Sequence, residues 1–135
     1  MEFTQWTTQY SVGDPLMDAY HHIFFKTVHD LARELADLPA PAVAERIAFL
    51  LTYASMHFDS EEQLMQEIAF PELDAHKELH RAFQEKLSAL QERYLAIPST
   101  IHAEELLQLS EAWLTQHILG EDMKYKDYLK PNRKR

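Results

Sequence analysis

Seven side chains in this sequence have the types and spacing to hold metal ions: His21, His57, Glu61, His76, His80, His117 and Asp122. His57 and Glu61 lie four residues apart, as do His76 and His80, and residues at that spacing share one face of a helix. Left unpaired in a core, each such ionisable group costs several kcal/mol. Coordination removes the penalty, because neutral imidazole nitrogens and carboxylate oxygens are metal donors. Five imidazoles and two carboxylates exceed the four donors of a tetrahedral zinc site, whereas two ions sharing bridging carboxylates fit the count. Nitrogen and oxygen donors without thiolate suit iron, with zinc, manganese or cobalt as substitutes. Oxygen-activating bundles use Glu-x-x-His pairs and more carboxylates. An imidazole-rich site of this kind is expected to hold dioxygen rather than drive it to high-valent oxidation.

Four helices must position these residues. Pro15, Pro39, Pro41, Pro71, Pro98 and Pro131 fall at segment boundaries, where proline starts or stops helices. Between them the apolar period is helical: Phe24, Val28, Leu31, Leu35 and Leu38 in the first segment, then Val43, Ile47, Leu50 and Ala54 in the second. Phe83, Leu87, Leu90 and Tyr94 mark the third, and Leu106, Leu109 and Trp113 the fourth. The candidate donors continue these stripes inward. They fall at the start of the first and third helices and the end of the second and fourth, which is one end of an antiparallel up-down-up-down bundle.

Asp122 needs more than a regular helix. Five residues beyond His117, it is rotated by about 140° from it in an ideal α-helix. A local loosening near Gly120, of π type, is expected to bring it round. His22, His29 and His102 fall off the inward stripes and read as solvated surface residues. Glu62 reads as a surface group or a support to the site, and Phe24, Phe58 and Trp113 read as core.

Composition bounds the alternatives. The chain has 135 residues, no Cys and a net charge of -9, so disulfide frameworks, thiolate clusters and cysteine nucleophiles are excluded. The acidity argues against nucleic acid as a partner. No secretory signal or stretch long enough for a membrane span is visible, so a cytoplasmic protein is expected. One domain, 1–135, divides into an N-terminal arm (1–17), a four-helix bundle (18–129) and a basic tail (130–135). Charged outer helix faces, free of a large apolar patch, lead to the expectation of a monomer.

The residues quoted so far, in their order and separation, resemble the hemerythrin family, and within it the bacterial single-domain kind. The resemblance covers residues 6–129 and rests on Trp6…Tyr10-Ser11-Val12-Gly13, Asp18-x-x-His21, His57-Phe58-x-x-Glu61-Glu62-x-x-Met65, Pro71-x4-His76-x3-His80-x2-Phe83 and Trp113-Leu114-x2-His117-Ile118-x3-Asp122-x2-Tyr125. It implies two iron ions with a bridging oxo or hydroxo group. His76, His80 and His117 would hold one, His21 and His57 the other, and Glu61 and Asp122 would bridge both. It also implies dioxygen binding at the second iron, in a pocket that falls here on Phe24, Phe58, Trp113, Leu114 and Ile118. Two residues depart from the family pattern: Tyr20 stands where Gln is usual, and Phe24 is bulkier than the usual Leu and is expected to narrow the pocket.

The function that follows is reversible dioxygen binding, non-enzymatic, for storage, transport or delivery, with an oxygen-consuming enzyme or reductase as a possible partner. The alternatives are an oxygen or redox sensor, a di-iron peroxide or nitric-oxide reductase, and an iron-handling protein. The sensor reading is disfavoured by the lack of a fused signalling segment in this sequence.

Overall fold

Local rules set each helix boundary. In the computed structural model, which describes residues 6–132 and side chains as far as Leu129, helix α1 spans Pro15–Glu34. Pro15 in its first turn needs no amide donor, and the Asp14 carboxylate caps the helix by accepting from the Met17 N–H at 3.1 Å. Helix α2, Ala40–Glu67, starts behind Pro39 with Pro41 in its first turn. It ends at Ala69, whose φ of 54° is the left-handed conformation that closes a helix. For a residue with a Cβ this costs about 1–2 kcal/mol. The reversal lets the Phe70 N–H donate to the Met65 carbonyl at 2.9 Å and turns the Phe70 ring into the core.

Helix α3 spans Leu73–Ala96 and stops before Pro98. Helix α4 spans Ile101–Ala112; the Ser99 hydroxyl accepts from the Ile101 N–H at 3.3 Å, while Thr100 gives no side-chain cap. The chain then runs without a break into a π-helix, Trp113–Glu121, a 3-10 turn, Asp122–Tyr125, and a short helix α5, Lys126–Asn132. The result is the expected all-α four-helix bundle, with no strand among the described residues. Helix α1 begins three residues earlier than the expected bundle boundary, and Pro131 lies inside the last helical turn rather than beyond it. Residues 1–5 of the expected arm and 133–135 of the basic tail lie outside the described residues.

The arm is pinned to α1. Ser11 Oγ donates to Asp18 Oδ2 at 2.5 Å and the Val12 N–H to Asp18 Oδ1 at 2.9 Å, while Trp6 stacks on His22 and Tyr10 on Phe25. Gly13 makes the turn between them at φ 90°, a conformation that side chains rarely adopt.

Burial divides the interior into three layers. A large apolar cluster fills most of the bundle, with Phe24, Val28, Ile47, Leu50, Leu87, Leu90 and Leu106 among its buried members. A smaller one lies at the arm end, formed by Val12, Met17, Leu64, Met65, Ile68, Phe70, Tyr125 and Leu129. Along every long helix the candidate donors sit between the two: His21 between Met17 and Phe24, His57 and Glu61 between Ala54 and Leu64, His80 before Phe83. Apolar packing on both sides thus keeps water from the polar layer.

Two surface expectations change. His102 is buried, not solvated: its Nε2 meets the Ile97 carbonyl at 3.0 Å and its ring packs edge-on against Tyr94, tying the α3–α4 turn together at the end far from the other histidines. His29 is partly buried, and His22 alone of the three is exposed. Nor are the outer faces uniformly charged, since Leu16 and Ile23 on α1 and Phe49 and Met56 on α2 are about half exposed.

Candidate metal centre

All seven candidate donors converge in the polar layer and are buried, His21, His57, Glu61 and Asp122 completely. The π-helix explains how the fourth helix contributes two of them. Its i→i+5 hydrogen bonding carries an extra residue per turn, so His117 and Asp122, five apart, both face inward. The expected loosening around Gly120 is therefore present, and it spans nine residues rather than a single turn. A Cβ at Gly120 would meet nothing within 4 Å, so the π geometry there is not a matter of side-chain space.

The donor atoms form two groups that share carboxylates. Glu61, His76, His80, His117 and Asp122 can each aim one donor atom at a common point, and so can His21, His57 and Glu61. On the three-histidine side, Glu61 Oε1 lies 3.2 Å from His76 Nε2 and 3.0 Å from His80 Nε2. Asp122 Oδ1 lies 2.9 Å from His76 Nε2 and 3.0 Å from His117 Nε2. The other oxygen of each carboxylate faces the two-histidine side. Glu61 Oε2 is 3.5 Å from His57 Nε2 and 3.6 Å from His21 Nε2, and Asp122 Oδ2 is 3.1 Å from His21 Nε2. Each carboxylate therefore spans the two groups, one oxygen to each.

This donor set fits metal ions. Both ring nitrogens of His21 and of His57, His117 Nε2 and Asp122 Oδ2 are buried without a hydrogen-bond partner among the described residues. Orphans of this kind are costly in a core, and most of these atoms point into the cluster. Titration behaviour tells the same story. Burial pushes His21 and His76 down, but the Asp122 and Glu61 carboxylates set against them outweigh it, lifting His21 to about 10 and His76 to about 9. Burial raises Glu61, yet the charge of His57 and the close approach of His21 and His76 hold it well below the usual carboxylate range. Asp122 is also held below that range, with burial and the Glu61 charge opposed by His117 and His21. Burial wins only at His117, which is pushed down despite Asp122. Protons on imidazoles thus balance two buried carboxylates, the role a metal cation takes over as it displaces them.

Aromatic rings clasp the donors. Phe58 stacks on His80 with centroids 3.9 Å apart, Trp113 on His117 at 3.7 Å, and Tyr20 on His57 at 4.9 Å. Of the residues expected to line an oxygen pocket, Phe58 and Trp113 touch donor rings directly. Phe24 packs on Tyr53, which in turn meets His57, and Leu114 and Ile118 are buried on either side of His117 in the same apolar cluster.

Three residues support the site; Tyr53 and Tyr125 escaped the sequence reading as site members, while Glu62 was read as either a surface group or a support and proves to be the latter. Tyr125, fully buried, donates from its hydroxyl to Glu61 Oε2 at 2.7 Å. Burial and the charges of Glu61 and Asp122 push that phenol well above its ordinary value, so it stays a donor. Tyr53 donates to the Tyr20 carbonyl at 2.6 Å, fixing the backbone one residue before His21. Glu62 accepts from His80 Nδ1 at 2.8 Å. Tyr53 had a signal, since it shares a helix face with His57 four residues on. Tyr125 had none in α-helical register, because the π-helix resets the face on which it falls.

The fold and the donors together define a helical bundle with a histidine–carboxylate site suited to two cations. The family model for the hemerythrin HHE cation-binding domain matches residues 12–129. Among curated relatives, a myohemerythrin of Theromyzon tessulatum is 30% identical over 93% of this chain and 92% of its own length. A bacteriohemerythrin of Stenotrophomonas maltophilia is 28% identical over 96% of this chain and 84% of its own. A hemerythrin-like protein of Naegleria gruberi is 31% identical over 92% of each. The chain belongs to the hemerythrin family. Among the described residues no helix is long and apolar enough to cross a membrane.

Proposed function

We propose that this chain binds dioxygen reversibly at a pair of iron ions with an oxo or hydroxo bridge, as an oxygen store, transporter or delivery protein. The observation that carries the reading is the split of each carboxylate, one oxygen of Glu61 and of Asp122 toward His76, His80 and His117 and the other toward His21 and His57. Membership of a cation-binding family supports it. His76, His80 and His117, with Glu61 Oε1 and Asp122 Oδ1, would hold one ion, and His21 and His57, with Glu61 Oε2 and Asp122 Oδ2, the other. Bound there, a ferrous pair would supply the electrons for reversible dioxygen binding.

The protein's own part is to position and to exclude. The second group offers one imidazole fewer, so it leaves the more open coordination for an external ligand. Phe24, Phe58, Trp113, Leu114 and Ile118 wall the layer with apolar surface, which keeps out water and slows loss of the ferrous state. Tyr125 holds Glu61 Oε2 in place from the arm side. Imidazole-rich donors with few carboxylates support a binding protein over an enzyme.

The test is the visible spectrum of the reduced, iron-loaded protein before oxygen, after oxygen and after degassing. A band that forms with oxygen and is lost on degassing is expected. Irreversible conversion to the oxidised spectrum, or steady consumption of a reductant, would overturn the reading in favour of a sensor or an enzyme.

A further inference from the structure

His80 differs from His21 and His57 in what its outer nitrogen meets. Its Nδ1 donates to Glu62 Oε2 at 2.8 Å, while the Nδ1 atoms of His21 and His57 are buried with no hydrogen-bond partner. Glu62 is about a quarter exposed, and among the described residues no lysine or arginine pairs with it; its ion pair is with His80. A carboxylate on Nδ1–H fixes the tautomer that presents the Nε2 lone pair inward, and makes that nitrogen a better donor. The His80 ring is held twice over. Phe58 lies flat against its face, with ring planes 4° apart, and Glu62 sets its rotation within that plane. Because Glu62 follows Glu61 on α2, one helical turn supplies both the oxygen that faces His80 Nε2 and the carboxylate that grips Nδ1 across the α2–α3 interface.

We propose that Glu62 is a positioning residue: by orienting His80 it tightens the three-histidine half of the centre selectively, leaving the His21–His57 half untouched. The proposal rests on the two-ion reading above, and it goes beyond that reading by making the two ions unequal in affinity for a reason outside the donor set.

The experiment is a titration of the metal-free protein with Co2+, followed by its visible absorption, for wild type, Glu62→Ala and Glu62→Gln, with thermal melting of the metal-free forms alongside. Wild type is expected to bind two equivalents. Glu62→Ala should weaken one of them by about 10–100-fold, the usual effect of losing an outer partner of a metal-bound histidine, and leave the other unchanged. Glu62→Gln keeps a carbonyl acceptor for Nδ1–H and should restore most of the loss. Loss of the buried hydrogen bond should lower the metal-free melting temperature of Glu62→Ala, and weakening confined to one equivalent separates positioning from that general loss. Unchanged binding in Glu62→Ala, equal weakening of both equivalents, or Glu62→Gln as weak as Glu62→Ala would each overturn the proposal. A wild-type protein that fails to take two ions would overturn the two-ion reading itself, and because no oxygen is used the result is independent of oxygen binding. A measurement that needs no variant is the proton spectrum of the Zn2+-loaded chain. The His80 Nδ1 proton should resonate downfield of those of His21 and His57, and coincidence of the three would count against the assignment.

Discussion

The two halves of the donor layer are built on different principles. On the three-histidine side, His76 and His80 hydrogen-bond with the carboxylates, Glu62 braces His80 from behind, and Phe58 and Trp113 press against donor rings. On the two-histidine side, neither ring nitrogen of His21 or His57 has a hydrogen-bond partner, and the rings are held by aromatic contact with each other and with Tyr20 and Tyr53. In one half the imidazoles themselves are tied by hydrogen bonds; in the other the rings are set mainly by packing, and the polar ties fall on the carboxylate and the backbone beside them. On the proposed reading, in which two ions stay and an external ligand comes and goes, the less braced half is where that ligand would exchange. What joins the halves is two carboxylates, and one of them, Asp122, follows directly on the π-helix that turns it inward.

The largest effect should come from removing a joint. Glu61→Ala takes one oxygen from each half and leaves the Tyr125 hydroxyl and several imidazoles without their anion. Breaking a buried charge pair costs about 3–5 kcal/mol. Metal analysis should show at least one iron lost, and melting should fall by several degrees; full iron content would reject the bridging role. His117→Ala comes next and should break the inequality rather than the centre. Metal analysis should find the ion of the three-histidine half weakened or lost, with the other half still able to bind.

Tyr125→Phe should act on the opposite half, because its hydroxyl meets the Glu61 oxygen that faces His21 and His57. Loss of a buried hydrogen bond to a charged group costs about 1.5–3 kcal/mol. Thermal melting reads that cost, and metal titration should place the weaker binding on the second equivalent. If both equivalents weaken alike, Glu61 moves as a unit and the halves are not separable at that atom.

pH sharpens the comparison through its sign. His21, lifted to about 10, and His76, lifted to about 9, stabilise the metal-free fold fully below the ordinary imidazole value of 6.5, and that stability is lost as pH rises through 9 to 10. Glu61 and Asp122, held below their ordinary values of 4.5 and 3.8, stabilise it above those values and lose their effect as pH falls. His117, pushed down, adds to the acid loss, since it favours the fold only while neutral. Melting of the metal-free protein should therefore be highest at about pH 5 to 6.5 and decline on the alkaline side. In the iron-loaded protein the cation replaces those protons, and the alkaline decline should disappear. The smallest expected change in stability is that of Phe24→Leu, a near-conservative swap in the core beside the two-histidine half. Its effect should be kinetic: faster oxygen association or faster autoxidation in stopped-flow and spectral decay. If neither rate moves, Phe24 does not narrow the pocket.

Much of this architecture was legible in one dimension. Helices α1 to α3 announce themselves by apolar residues at three- and four-residue steps, and the pairs His57/Glu61 and His76/His80 announce their common faces by the same arithmetic. Both follow from the 3.6-residue turn, a local property that sequence order encodes directly. Asp122 was legible only as a misfit, too far round a regular helix from His117 to share its face. Misfit implied a break in the helix, and the π-helix is that break.

Partnerships between helices were decided in three dimensions. That Glu62 on α2 meets His80 on α3, or that Tyr125 reaches Glu61 across 64 residues of chain, depends on helix rotation and axial offset to within an ångström. The burial of His102 was half legible, since it stands four residues before Leu106 on the apolar face of its helix, but only the α3–α4 turn brings its ring against Tyr94. Periodicity determines which face of a helix turns inward. Only packing among four helices decides which atoms on those faces come within hydrogen-bonding reach, since side-chain volumes in both apolar clusters fix the offset and no single segment contains that information.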